Sequence, residues 1–168
     1  MSATRREFLA GMTTAPLLAA QQTGQSNVRI TRIEATVLRV PLKERFWMSL
    51  SPIGGMNHTL TKTVITLHDS RGLHGMGECS GGAASVLQKG FGDLLIGEDP
   101  AGIDDLWHTM FHMTYHRDAA RKGWSSSAVL QAMAGLDAAL WDLAGKAAGL
   151  PLYKLLGGSK KPVDCYTT

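Results

Sequence analysis

The hydrophobic positions between residues 125 and 148 recur at spacings of three and four, the pattern of one buried helix face. The large and medium members of that face are Val129, Met133, Leu136, Leu140, Leu143 and Ala147. Small side chains lie beside it, and they predict that another backbone approaches closely; they are Ala132, Gly135, Ala138 and Ala139. The pattern therefore predicts one long helix that packs tightly against a second element.

Local signals mark both ends of this helix. Ser125 to Ser127 offer side chains that can cap its start. Gly149 suits the left-handed position after a helix, and Pro151 prevents continuation. Asp142 and Lys146 are four residues apart, with the acid before the base, which favours an ion pair along the helix.

Alternating and β-branched residues earlier in the chain predict three strands, at Val28–Pro41, Leu60–His68 and Leu73–Cys79. Pro41 is expected to end the first ladder, leaving residues 42–59 as a long connection. Two helices are predicted next, a weak one over 83–95 and a clearer one over 103–116. The apolar members of the clearer helix are Leu106, Trp107, Met110, Phe111 and Met113. Strands followed by helices predict an α+β fold with an antiparallel meander.

The stretch AMAGLDAALWDLAGKAAGLPLYKLLGG, residues 132 to 158, resembles a signature of the enolase superfamily. It looks most like the mandelate racemase and muconate lactonizing enzyme branch. The matching residues are Ala132, Gly135, Asp137, Ala139, Leu140, Trp141, Asp142, Gly145, Lys146, Gly149, Pro151, Leu155, Leu156, Gly157 and Gly158. A generic amphipathic helix ending in Gly-x-Pro is the alternative interpretation. The resemblance implies an N-terminal capping domain over residues 28–158, a three-stranded antiparallel meander followed by a helical bundle.

In the family that this stretch resembles, the capping domain precedes a (β/α)₈ barrel of ~250 residues. Residues 159–168 are expected to begin such a barrel, with its first strand in the β-prone run 163–168, and the chain is expected to be truncated there. The family's metal-binding carboxylates and catalytic bases lie on later barrel strands. The resemblance therefore assigns no catalytic residue and no metal ligand to this chain, and it implies that the chain alone is inactive.

The full-length relative implied by the resemblance is a Mg²⁺-dependent dehydratase, racemase or cycloisomerase, and a homo-oligomer. It would abstract the proton α to the carboxylate of a small-molecule substrate, with sugar acids as the leading class. The family's capping domain shapes selectivity with two loops. The first would contain Phe46, Trp47 and Met48, and the second Cys79 and Ser80. Local packing and a simple strand-to-helix turn are the respective alternatives.

Three histidines, His108, His112 and His116, are spaced by four and would share one helix face. A pair at this spacing can bind a transition metal, but three along one helix exceed the reach of one tetrahedral ion. A solvated helix face is the simpler interpretation. The competing function is accordingly a non-catalytic exported α+β module that binds metal weakly through this face.

The N-terminus, residues 1–27, resembles a twin-arginine export signal and spacer, with Arg5 and Arg6 before an apolar stretch from Leu9 to Ala20. We therefore expect export to the periplasm or the outside. Net charge is +3, with no basic cluster that would indicate nucleic-acid binding, and no apolar run is long enough to span a membrane. Cys79 and Cys165 could pair in an oxidising compartment or stay as thiols.

Overall fold

The computed structural model describes residues 27–46, 57–115, 117–162 and 164–165. Three antiparallel strands follow one another in the sheet order β1-β2-β3: β1 (Ile30–Phe46), β2 (Asn57–Asp69) and β3 (His74–Ser80). The predicted meander is confirmed, but both strands of the first pair are longer than expected. Pro41 pairs with Thr59, and after an irregularity Phe46 pairs with Asn57. The prediction that Pro41 ends the ladder is therefore wrong, because this strand has an outer edge where a missing N–H is tolerated.

Alternation along β2 separates the two faces of the sheet. Thr63, Ile65, Leu67 and Asp69 are buried, while the residues between them are only partly covered. The buried face packs against the helices, which places the core between the sheet and the helical layer.

The helical layer begins directly after β3. A 3₁₀ turn at Gly81–Ala83 leads into α1 (Ala84–Val86), a π-helical turn over Leu87–Phe91, and α2 (Gly92–Leu95). The remaining helices are α3 (Ile103–Tyr115), α4 (Arg117–Arg121), α5 (Ser126–Ala148) and α6 (Leu152–Leu155). No helix in the described ranges is both long and apolar enough to cross a membrane. The architecture is α+β, as the pattern predicted.

The long helix α5 has both predicted end signals. The Ser125 hydroxyl accepts a hydrogen bond from the Ala128 amide, and Gly149 ends the helix with a φ of 64°. The large members of the predicted face are buried, among them Val129, Leu136 and Leu140. Ala138 and Ala147 were expected on or beside that face, but both are exposed. The buried stripe is thus narrower than predicted.

Two charged residues of the signature, Asp142 and Lys146, bind helix α5 to the backbone of β3. The Asp142 carboxylate accepts a hydrogen bond from the Met76 amide at 2.8 Å and pairs with Lys146 at 2.8 Å. The Lys146 ammonium also donates to the carbonyl oxygen of His74 at 2.9 Å. Partial burial raises the pKa of Asp142, but these donors and the nearby positive charge outweigh burial, so its pKa is lowered overall. The predicted pairing of Asp142 with Lys146 is confirmed.

The segment after α6 was expected to begin a barrel strand. Residues 159–162 and 164–165 form neither helix nor strand, whereas 163 and 166–168 lie outside the described residues. Cys79 is buried and Cys165 exposed, and no disulfide joins the two.

Candidate substrate-capping surface

The antiparallel order of the strands brings three strand termini to the same end of the sheet. The end of β1, the start of β2 and the end of β3 lie there, so both predicted selectivity loops begin at this end of the sheet. Strand β3 pairs with β2 only as far as Ser80 opposite Lys62, so the outer part of the β1–β2 pair projects past it as a two-stranded ribbon. We call this projecting pair, residues 39–46 and 57–61, the β1–β2 ribbon.

The β1–β2 ribbon carries large apolar side chains that its own domain does not cover. Val40 and Leu60, which pair across the two strands, expose 50% and 47% of their surface, and Leu38 at the base of the ribbon exposes 44%. Neighbouring exposed apolar side chains on one face of a sheet mark a place where something else binds or packs. The ribbon therefore has the character of a surface that covers another group.

Of the first predicted loop, Phe46 ends β1, and its backbone alone is described. Trp47 and Met48 lie outside the described residues. Their assignment to substrate selectivity stays a prediction.

The two residues of the second loop differ in accessibility. Cys79 is 7% exposed and faces the core, whereas Ser80 is partly exposed at the sheet edge. Burial raises the pKa of the Cys79 thiol, although a hydrogen bond with Thr63 and the charge of Lys62 act in the opposite direction. Of this pair, Ser80 is therefore the residue whose side chain reaches the surface of the domain, and the role of both in selectivity stays a prediction.

The backbone at Ser80 is held in place from β2. The hydroxyl of the fully buried Thr63 donates to the Ser80 carbonyl oxygen at 3.1 Å. A Cβ on Gly81 would overlap the Thr61 side chain, so the chain passes β2 closely, while a Cβ on Gly82 would meet open space. This role of Thr63 was not predicted from the sequence, although the inward position of Thr63 in the alternation of β2 was an available signal.

Glu78 is an ion-pair partner in this structure. Its carboxylate accepts a hydrogen bond from the Lys62 ammonium at 3.0 Å on the exposed face of the sheet. This ion pair joins neighbouring residues of β2 and β3 on the exposed face.

The turn between β2 and β3 is built around Asp69, whose carboxylate is buried. It accepts hydrogen bonds from the Arg71 and Leu73 amides, both at 2.9 Å, and pairs with the Arg71 guanidinium at 2.7 Å. Burial raises the pKa of Asp69, but the bonds to Arg71 and Leu73 outweigh burial and lower it overall. This turn fixes the register of β2 and β3 at the end of the sheet opposite the loops.

The histidine face of α3 is exposed at His108 and His112, and His116 lies outside the described residues. His108 lies 3.9 Å from Asp104, a pair on the solvent side. Within the described part of the chain, no group of three or more histidine, cysteine or acidic side chains is arranged to hold a metal ion. The described residues therefore show no ligand cluster of the size that a Mg²⁺ site needs.

Two residues lie near this face, one on α3 and one on α5. Trp107, predicted as an apolar member of α3, is 36% exposed and stacks on Phe111 with ring centroids 4.9 Å apart. Asp137, a residue of the signature, has no hydrogen-bond or ion-pair partner among the described residues, and partial burial raises its pKa. Both face the groove between α3 and α5, where the neighbouring helix leaves them uncovered.

A three-stranded antiparallel meander packed against a helical layer is the architecture of an enolase-type capping domain. Residues 32–157 match the family described as mandelate racemase / muconate lactonizing enzyme, N-terminal domain. The chain belongs to this family of the enolase superfamily.

Several characterised proteins are similar to this chain. A D-galactonate dehydratase from Variovorax paradoxus is 41% identical over 98 residues, which cover 56% of this chain and 24% of that protein. A D-galactonate dehydratase family member from Paenibacillus is 40% identical over 114 residues, covering 63% of this chain and 26% of the relative. The chain thus spans about a quarter of the length of these curated relatives.

Solved structures agree with the family. An enolase-superfamily member from Polaromonas has a TM-score of 0.67 at 30% identity, covering 79% of this chain and 34% of that one. The L-talarate dehydratase from Polaromonas, solved with Mg and L-glucarate, has a TM-score of 0.65 at 27% identity, covering 79% and 36%. These neighbours include proteins with bound Mg and a bound sugar diacid, whereas this chain's described residues show no metal site.

Proposed function

We propose that residues 28–158 form the substrate-capping domain of a sugar-acid dehydratase of the enolase superfamily. The observation that carries this proposal is that the β1–β2 ribbon and the turn at Ser80 lie next to each other at the same end of the sheet. An apolar surface placed over a reaction site excludes water and strengthens the electrostatic interactions inside. The exposed side chains of Val40 and Leu60 suit that task.

The proposed substrate class is a sugar acid such as D-galactonate. Two similar proteins are a D-galactonate dehydratase and an L-talarate dehydratase, which supports a polyhydroxylated carboxylate. The proposed reaction removes the proton α to the carboxylate and expels the neighbouring hydroxyl group as water. The described residues provide no metal cluster, so the metal and the base are assigned outside them.

In this proposal the chain's own residues position one wall of the substrate site. Thr63 anchors the Ser80 carbonyl, and the Lys62–Glu78 pair fixes the strand ends next to it. The turn at Ser80 is thereby held on rigid strands, which suits a contact that must discriminate between similar substrates. The aromatic first loop, with Phe46, Trp47 and Met48, would cover the distal end of the substrate.

We also propose that the protein is exported through the twin-arginine route. Arg5 and Arg6, the apolar stretch to Ala20 and the small residues near its end support this destination. Because that route moves folded proteins, it is compatible with an enzyme that folds before export.

The capping role is tested with a domain exchange. Residues 28–158 replace the corresponding N-terminal domain of the Variovorax paradoxus D-galactonate dehydratase, giving a protein that we call the chimera. The proposal predicts Mg²⁺-dependent dehydration of a sugar acid by the chimera, and none by the same enzyme with its N-terminal domain deleted. A well-folded chimera without activity on any sugar acid would refute the capping role.

A further inference from the structure

The groove between α3 and α5 is an uncovered apolar surface of the described residues. It holds a cavity of about 630 Å³ lined mainly by apolar side chains, including Val28, Ile103, Trp141, Ala144, Ala147 and Leu155. The exposed Ala147 thus lies in this groove, where it was expected to lie in the core. A hollow of this size in a small domain exposes apolar surface to water unless another segment fills it.

The groove continues past Ile103 and Trp141 into a second hollow of about 370 Å³ with a different chemistry. Trp107, Trp141 and Asp137 line it, with Asp104 and His108 at the rim. Trp107 stacks on Phe111 on one side and exposes 36% of its surface. Two indoles therefore flank one carboxylate at the polar end of an apolar groove.

Asp137 is the unsatisfied member of this hollow. It is partly buried, and no residue of the described chain donates a hydrogen bond to it or pairs with it. Its helix neighbour Asp142 by contrast has an amide and an ammonium within 2.8 Å. A partly desolvated carboxylate without a partner is costly, and a cation that enters the hollow lowers that cost.

Arginine is the side chain that fits all three groups. Its planar guanidinium stacks on indole faces and donates two parallel hydrogen bonds to a carboxylate, whereas a lysine ammonium offers a single point charge. An apolar segment that carries one arginine would fill the cavity with its apolar side chains and place the guanidinium beside Asp137.

We propose that the α3–α5 groove is the docking surface for the catalytic domain, and that an arginine of that domain lies between Trp107 and Trp141 and pairs with Asp137. The inference rests on the proposed function for the identity of the occupant. The similar dehydratases are about four times the length of the matched region, since it covers 24% and 26% of them, so such a domain is available in proteins of this kind.

The chemistry of the hollow is tested on the 168-residue chain with L-argininamide as the probe. The indole N–H resonances of the chain's 4 tryptophans are followed by NMR and assigned by single Trp→Phe substitutions. We expect saturable shifts of Trp107 and Trp141 alone, and an affinity about fivefold or more weaker in Asp137→Asn. Asp93→Asn, which removes an exposed carboxylate on α2, is the matched control and should leave the affinity unchanged. Shifts that do not saturate, or that Asp137→Asn leaves unchanged, overturn the proposal.

The identity of the occupant is tested by whether Asp137→Asn raises or lowers the melting temperature in each of two proteins. In the 168-residue chain, Asp137→Asn should leave the melting temperature unchanged or raise it, because it removes a carboxylate without a partner. In the chimera the same substitution should lower the melting temperature, because it breaks the pair with arginine. An equal shift in both proteins overturns docking. If the chimera is active but Asp137→Asn shifts the melting temperature equally in both proteins, the docking proposal fails and the capping proposal stands. If the chimera is inactive but the two melting temperatures shift in opposite directions, the capping proposal fails and the docking proposal stands.

Discussion

Gly77 of β3 and Gly135 of α5 face each other so closely that neither can carry a side chain. A Cβ built on Gly77 would overlap the Gly135 carbonyl oxygen, and one built on Gly135 would lie 2.6 Å from Cδ1 of Ile65 and 2.9 Å from the Glu78 carbonyl oxygen. The backbones of strand and helix are thus in direct contact. This contact sets the distance between the two layers and with it the position of the β3 end at Ser80.

Enlarging Gly135 should destabilise the domain. Gly135→Leu must displace Ile65 and the β3 backbone, and overpacking of this kind costs about 1–3 kcal/mol. Gly135→Ala should also destabilise, by less, because its single methyl already meets a backbone oxygen at 2.9 Å. Chemical denaturation followed by circular dichroism measures both changes.

A matched control is Gly82→Ala at the start of the helical layer. A Cβ at Gly82 has nothing within 4 Å, and the backbone there is not in the left-handed region. Its free energy of unfolding should stay within about 0.5 kcal/mol of the parent value. A leucine at position 135 that stabilises the protein would show that the contact between β3 and α5 is described wrongly.

The pairing of Asp69 should contribute to the loss of the free energy of unfolding as the pH falls. The folded state lowers the pKa of Asp69 below its ordinary value of 3.8. The Asp69 carboxylate therefore makes its full contribution to the free energy of unfolding at pH values above the ordinary pKa of aspartate. That contribution disappears as the pH falls through the lower pKa of Asp69 in the folded state. Asp69→Asn should reduce stability near neutral pH by about 1–3 kcal/mol and flatten the loss of stability on acidification.

The pH test is made by urea unfolding at a series of acidic pH values. Asp93→Asn serves as the control, because Asp93 is an exposed acid on α2. Asp142, whose pKa is also lowered, should retain its own share of the acid dependence in the Asp69 variant. An unchanged pH profile in Asp69→Asn would contradict the role given to this turn.

Periodicity predicted the elements of this fold better than their edges. Val129, Leu136 and Leu140 were identified as buried because helical spacing alone places them on one face. The end of the first strand was predicted wrongly at Pro41, because a proline is compatible with an edge strand. Nothing local in the sequence shows which strand lies at the edge of the sheet. The register that pairs Phe46 with Asn57 depends on a non-local contact.

The candidate site was only partly predictable for a similar reason. The resemblance identified the turn at Cys79 and Ser80, but the strand alternation that buries Cys79 and leaves Ser80 accessible emerges from the packed sheet. Trp107 and Asp137 belong to different helices, and their meeting in one groove depends on how α3 lies against α5. Sequence spacing carries no information about that placement.

The 168-residue chain alone should not dehydrate any sugar acid. The proposal assigns the metal ligands and the base, which stabilise the charge that develops after proton abstraction, to residues outside the capping domain. Purified chain is incubated with Mg²⁺ and D-galactonate, and the 2-keto product is assayed against a blank without enzyme. Turnover above the blank would contradict the assignment of catalysis to another domain.

Replacement of the two leader arginines should block export. Arg5→Lys combined with Arg6→Lys keeps the charge but removes the pair that the twin-arginine machinery recognises. The double variant should remain uncleaved in the cytoplasm, whereas Arg29→Lys, outside the leader, should be processed normally. Fractionation followed by immunoblotting measures the distribution, and normal processing of the double variant would contradict the export proposal.

The most direct test of the capping role compares substrate selectivity in the chimera with that of the parent Variovorax enzyme. The two proteins differ only in the exchanged domain, so any change in selectivity originates in residues 28–158. The ratio of kcat/KM for D-galactonate to that for L-talarate is measured in both. We predict a change of about tenfold or more, the discrimination that a few altered pocket contacts provide. An active chimera with the parent's ratio would contradict the account.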